Sequence, residues 1–331
     1  MTALATTVTE TLRYRGKVGQ WAWVLHRLTG LGVITFLILH VVDTSWAAFY
    51  PNDYEQAIRE YQSPLFTIGE FFLVACVIFH AINGLRIVTL DYKPEWWRHQ
   101  GRATWIVFAL TLILLVPTFG VMLDHTAAFY TSDRDIATLE EVLQTQSQFV
   151  LGFVVILVVA LALSGLYGLV ANTDRGVKLS GGWEATLWTY MRVSGVLILP
   201  LVFGHLVLMH IMQGVFDIAG VPALEVVGTD AINQTGTAVE FVGARWNALL
   251  AGVAVWRVYD GLLLALAAIH GFNGLRYIVN DYTRSPWVNR ALNWAIFFGV
   301  VALIVVGTAA LFSGVDETAY KIANDMLSSV Q

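Results

Sequence analysis

The chain has 331 residues, 57% apolar and 13% charged, with a net charge of −5. Soluble proteins average roughly 45–50% apolar and about 25% charged, so much of this chain belongs in lipid. The acidic balance points to no nucleic-acid partner, and a single cysteine, Cys76, excludes an internal disulfide and a cysteine-held iron–sulfur cluster.

The first segment, residues 1–20, lacks the apolar stretch of a signal peptide. Arg13, Arg15 and Lys17 precede the first span and predict a cytoplasmic N-terminus. Seven stretches, near 22–50, 65–91, 103–125, 149–171, 186–214, 252–281 and 291–313, are long enough to cross a bilayer. The loops between them alternate in charge. Lys93, Arg98 and Arg102, then Arg175 and Lys178, then Arg284 and Arg290 mark the cytoplasmic side. Asp53, Glu55 and Glu60, then Asp133, Asp135, Glu140 and Glu141, then Asp217, Glu225, Asp230 and Glu240 mark the outer side, with Asp316, Glu317 and Asp325 in the tail. The N-terminus is therefore expected inside and the C-terminus outside.

Two patterns recur along the chain. His80-Ala-Ile-Asn83-Gly84-Leu85-Arg86, ending in Asp91-Tyr92, returns as His270-Gly-Phe-Asn273-Gly274-Leu275-Arg276, ending in Asp281-Tyr282. Arg27-x-x-Gly30 with His40 returns as Arg192-x-x-Gly195 with His205. Each repeat has three crossings, so one extra helix must return the chain before the second repeat can face the same way. The predicted fold is thus an all-α polytopic membrane protein with seven transmembrane helices. Two parallel three-helix repeats are joined by an adaptor helix around a central four-helix haem-binding bundle. The divisions are a cytoplasmic segment (1–20), a first repeat (21–125), an outer loop plus adaptor (126–186), a second repeat (187–313) and an outer tail (314–331).

A buried imidazole in a bilayer is costly without a partner, and four in matched pairs have the pattern of axial ligands for two haems. His40 and His205 lie 13 residues beyond Arg27 and Arg192, a rise of about 20 Å. His80 and His270 lie 11 residues before Asp91 and Asp281, a rise of about 16 Å. Depth therefore pairs His80 with His270 at an inner haem iron and His40 with His205 at an outer one. Gly84 and Gly274 follow their histidines at i+4, on the face a haem plane must approach. Arg27, Arg192, Arg86 and Arg276 are the candidate partners of haem propionates, and His26 is a candidate contact of a propionate or quinone. His210, five residues from His205, falls about 140° away on an α-helix. His99 and His125 read as solvated. Glu70 and Asp260, each ten residues before a ligand histidine, are candidates for proton exchange near the outer face.

These residues resemble the membrane anchors of succinate dehydrogenase and fumarate reductase. His26-Arg27-Leu-Thr-Gly30 is similar to the His-Arg-x-Ser-Gly motif of the large cytochrome b subunit. His270 through Asp281-Tyr282 is similar to the haem histidine and quinone-site Asp-Tyr of the small subunit. The chain resembles the two anchors fused, in the two-haem form. The resemblance implies two haem b groups and a quinone, with menaquinone favoured. It also implies a flavoprotein and an iron–sulfur subunit docked on the cytoplasmic face of the cell membrane. The implied quinone site holds Arg27, Asp281 and Tyr282, with Trp23 where the family has a serine. The alternatives are a diheme cytochrome b serving another dehydrogenase and a proton-coupled transporter.

Overall fold

The computed structural model describes residues 16–132, 136–170 and 181–330. Arg13, Arg15, Asp133, Asp135, Arg175 and Lys178, used above to orient the chain, lie outside them. Among the described residues, seven helices are long and apolar enough to cross a membrane. In chain order the helices are α1 (Val18–Phe49), α2 (Pro51–Tyr61), α3 (Pro64–Tyr92), α4 (Gln100–Tyr130), α5 (Leu139–Val170), α6 (Gly181–Leu206), α7 (Ala238–Asn247), α8 (Val255–Tyr282), α9 (Pro286–Ser313) and α10 (Glu317–Val330). Proline opens α2, α3 and α9, a position where its missing N–H costs nothing. Two short antiparallel ladders, Leu224–Glu225 with Ile232–Asn233 and Leu249–Leu250 with Val253–Ala254, are the strands among the described residues.

The four helices that carry the repeated histidines close a square of contacts, α1 on α3, α3 on α6, α6 on α8 and α8 on α1. Helix α4 packs outside α3, α9 packs outside α8 and α1, and α5 packs on α9. Gly271 allows α8 to approach α1, since a Cβ there would lie 2.6 Å from Ile34 Cδ1. Apolar side chains on the outer helices face away from protein: Ile113 is 65% and Val116 68% exposed on α4. Lipid is the solvent those surfaces need.

A cap covers one end of the square. Tyr54 and Ile58 of α2, Val239, Phe241 and Trp246 of α7, and Ala319 and Ala323 of α10 share one core with Ala47 and Ala310 at the ends of α1 and α9. Glu55, buried in α2, accepts a hydrogen bond at 2.7 Å from Val239 N–H in the first turn of α7.

Some boundaries differ from expectation. The fourth span was expected near 149, but α5 begins at Leu139. Thr138 and Glu141 form a reciprocal cap, Glu141 N–H donating to Thr138 Oγ1 and Thr138 N–H to Glu141 Oε2, and this starts the helix in polar sequence. The sixth span was expected from 252, but the Leu249–Ala254 hairpin takes those residues. Ala251 (φ 52) and Gly252 (φ 80) form its tip.

Candidate functional site

One continuous cavity of about 1210 Å³ runs down the centre of the square. His26, Arg27, His80, Arg192 and His270 line one end, and His40, His205 and His210 the other. The members of each predicted pair come from helices at opposite corners, His40 of α1 with His205 of α6, and His80 of α3 with His270 of α8. The His40 and His205 ring centroids are 5.8 Å apart. His80 and His270 both line the inner end of the cavity.

Hydrogen bonds fix the tautomers of the inner pair. Ser194 donates its only hydroxyl proton to Tyr190 O at 2.6 Å, so its contact with His270 Nδ1 at 2.9 Å makes Nδ1 the donor. His80 Nδ1 lies 3.0 Å from His26 O, which can only accept, and 3.4 Å from Thr29 Oγ1. Both rings are thus Nδ1–H tautomers with Nε2 free, the arrangement in which a metal-ligating histidine is oriented through its other nitrogen. Thr29 and Ser194 occupy the same place in the two repeats, before Gly30 and Gly195. The repeated Arg-x-Thr/Ser-Gly carries both hydroxyls in the sequence, without a signal that they meet the histidines. The glycines after them make room for the rings: a Cβ would sit 2.9 Å from His80 Cε1 at Gly30 and 3.3 Å from His270 Cε1 at Gly195.

Gly84 and Gly274 also line the cavity. A Cβ at Gly84 would meet His26 Cε1 at 3.5 Å, and one at Gly274 would meet Met191 Cε at 3.8 Å. His26 stacks on His80 with centroids 3.9 Å apart and planes 8° from parallel. Within each repeat an asparagine bonds the two histidine helices, Asn83 Nδ2 to Ala22 O at 3.5 Å and Asn273 Nδ2 to Leu187 O at 3.4 Å. Between repeats the bonds are ionic: Arg27 of α1 with Asp281 of α8, and Arg192 of α6 with Asp91 of α3. The residues expected to hold quinone gather around the first of these pairs. The Arg27 guanidinium lies 3.9 Å from the Trp23 ring centroid and 5.7 Å from that of Tyr282.

Several of the expected residues have partners that the repeated pattern does not show. Arg86 donates to Thr104 Oγ1, and Arg276 pairs with Glu184 at 2.9 Å. Neither arginine lines the cavity, because each is drawn to a partner on a neighbouring helix. His210 does line it, since residues Val207–Met212 form a π turn, which rotates less per residue than an α-helix. His210 Nδ1 meets Glu70 Oε1 at 2.6 Å. His125 is not simply solvated, for its Nδ1 lies 2.8 Å from Asp217 Oδ2. Asp260 is held by Trp246 Nε1 at 3.1 Å and by Arg245 at 3.3 Å. Arg245, only 4% exposed, reaches the outer end of the cavity from the cap. No repeat or spacing marks it in the sequence.

Haem is the group these imidazoles imply, and the chain fits it. His40 and His205 line one end of the cavity and His80 and His270 the other, and the inner pair's Nε2 atoms carry no proton and are available as donors. Among the described residues no cluster of three or more His, Cys, Asp or Glu could hold a bare metal ion. The donor set is paired imidazoles.

The class so defined is a seven-span helical membrane protein with paired imidazoles facing a central cavity. The chain belongs to the family of succinate dehydrogenase/fumarate reductase transmembrane subunits, whose sequence profile matches residues 6–116 and 174–311. Two matched stretches in 331 residues are consistent with two anchor subunits fused in one chain. The chain is 38% identical over 130 residues to the succinate dehydrogenase 2 membrane subunit SdhC of Mycobacterium tuberculosis, covering 38% of this chain and 96% of that protein. It is 27% identical over 104 residues to the succinate dehydrogenase hydrophobic membrane anchor subunit of Halobacterium salinarum, covering 30% of this chain and 80% of that protein. No solved structure matches it. As a membrane anchor subunit of such a complex it associates with catalytic subunits and with the bilayer. The family match sets aside the transporter and the unrelated dehydrogenase.

Proposed function

We propose that this chain is the diheme cytochrome b anchor of a succinate:quinone oxidoreductase. It carries electrons between an iron–sulfur subunit and membrane quinone, with menaquinone the favoured acceptor. His80 and His270 would hold the inner haem and His40 and His205 the outer one. The observation that carries this reading is the pair of opposed imidazole sets at the two ends of one 1210 Å³ cavity. That volume exceeds the roughly 300–1,000 Å³ of an ordinary single-ligand pocket. Bound haem would supply one-electron transfer. The chain's own part is to fix the ligand tautomers, exclude water and offer charge. Arg27 and Arg192 are the propionate partners of choice, because they line the inner end of the cavity beside His80 and His270.

Quinone would bind at Trp23, Arg27, Asp281 and Tyr282. There Tyr282 donates a hydrogen bond to a carbonyl, Arg27 stabilises developing negative charge and Trp23 supplies an aromatic wall. The charge pattern of the loops favours the two repeats running parallel, the inner end facing the cytoplasm and the C-terminus lying outside the cell membrane. A flavoprotein and an iron–sulfur subunit would then dock at the inner end. The test is purification of the complex from membranes by a tag on this chain. Flavin and iron–sulfur subunits should co-purify, and succinate should reduce b-type haem in the product. A complex that lacks flavin, or whose haem stays oxidised with succinate, contradicts the proposal.

A further inference from the structure

The inner end of the helix bundle carries the same four-residue arrangement twice, with Trp23, Arg27, Asp281, Trp188 and Arg192 lining the cavity. Around Arg27 stand Trp23, Asp281 and Tyr282. Around Arg192 stand Trp188, Asp91 and Tyr92, and of these four only Arg192 has a proposed partner, a haem propionate, the double duty that Arg27 carries in the first set. The Arg192 guanidinium lies 4.1 Å from the Trp188 ring centroid, against 3.9 Å for Arg27 over Trp23. Arg192 donates to Asp91 Oδ2 from Nε at 3.1 Å and from Nη2 at 2.8 Å. Tyr92 meets Trp188 edge to face, with centroids 6.4 Å apart. The walls match as well: Leu275 and Ile278 line the cavity beside the first set, and Leu85 and Val88 hold the equivalent places beside the second.

We propose that Trp188, Arg192, Asp91 and Tyr92 form a second binding site for a quinone head group, on the opposite side of the bundle from the first. A quinone head is planar and apolar in body, with two carbonyl acceptors at its ends. An indole wall, guanidinium and phenol donors, and an apolar flank for the isoprenoid tail meet those needs together. The inference rests on the reading that the Arg27 set takes quinone. The two sets differ in access. The Asp91 side chain is 17% exposed and that of Asp281 51%, so the second site is the more enclosed and the first the more open to a docking subunit.

The test is equilibrium binding of a short-chain naphthoquinone to the quinone-depleted whole complex in lipid nanodiscs. Tyr92→Phe and Tyr282→Phe are compared with wild type. Both tyrosines are more than half exposed, so neither change threatens folding, and Asp91→Asn serves as a second perturbation of the new site. Tyr92→Phe should weaken one equivalent of quinone about 3–10-fold, the scale of one lost hydrogen bond, and Asp91→Asn should weaken the same one. Tyr282→Phe should weaken a different equivalent. If Tyr282→Phe has its effect while both Tyr92→Phe and Asp91→Asn leave every equivalent unchanged, the second site is refuted and the first stands. If none of the three changes has an effect, the reading of the Arg27 set as a quinone site fails as well.

Discussion

Replacing Gly30 by alanine places a methyl group 2.9 Å from His80 Cε1 and 3.3 Å from its Nδ1. The imidazole has little room to retreat, because it stacks on His26 at 3.9 Å and bonds the His26 carbonyl at 3.0 Å. At Gly195 the same change brings the methyl to 3.3 Å from His270 Cε1, a contact relieved by a shift of a few tenths of an ångström. Inside a helix alanine is favoured over glycine by about 1 kcal/mol, and overpacking costs about 1–3 kcal/mol. The harder contact belongs at the upper end of that range, so Gly30→Ala nets a loss of about 2 kcal/mol, whereas Gly195→Ala comes out near zero. A 2 kcal/mol loss at the ligand is roughly a 30-fold weaker hold on the inner haem. Both variants should be purified beside wild type and assayed for haem per chain and for thermal stability. Gly30→Ala should shed inner haem on dilution, and Gly195→Ala should retain it. Retention in both, or greater loss from Gly195→Ala, would refute the reasoning.

Two further outcomes follow from the hydrogen bonds. Ser194→Ala removes the acceptor of His270 Nδ1–H, which should weaken inner-haem binding about 10–100-fold and raise that haem's potential, because the imidazole becomes a poorer donor to ferric iron. Ser194→Thr should restore both, and a potential unmoved in the alanine variant would exclude a ligand-positioning role. In the cap, burial holds the Glu55 carboxyl at about 7 against an ordinary 4.5, although the Val239 and Ala238 N–H groups pull the other way. The folded cap therefore binds this proton more tightly than the unfolded chain. Cap stability should fall as pH rises through that interval and then level off, by roughly 3 kcal/mol in all. Glu55→Gln should flatten the difference in melting temperature between pH 5 and pH 8, and an unchanged difference would show that Glu55 does not set it.

Much of this architecture could be read from residues alone, for a physical reason. A bilayer demands long apolar runs, and a duplicated ligand set must keep its spacing, so the seven spans and the opposed histidines are written in one dimension. The cap was not legible. Helices α2, α7 and α10 are short and get their stability from a shared core of Tyr54, Val239 and Ala319, which no local period reveals. The π turn at Val207–Met212, which brings His210 into the cavity, depends on packing. Arg86 and Arg276 looked equivalent to Arg27 and Arg192 as repeated spacings, yet their partners, Thr104 on α4 and Glu184 in the first turn of α6, lie outside the repeated residues.

The most direct measurement is the ratio of haem to polypeptide in the purified complex, in wild type and in His40→Ala. Two b-type haems per chain in the former and one in the latter, with the inner haem retained, is the result expected. A colourless complex, or a ratio that His40→Ala leaves unaltered, would contradict the assignment of the four imidazoles.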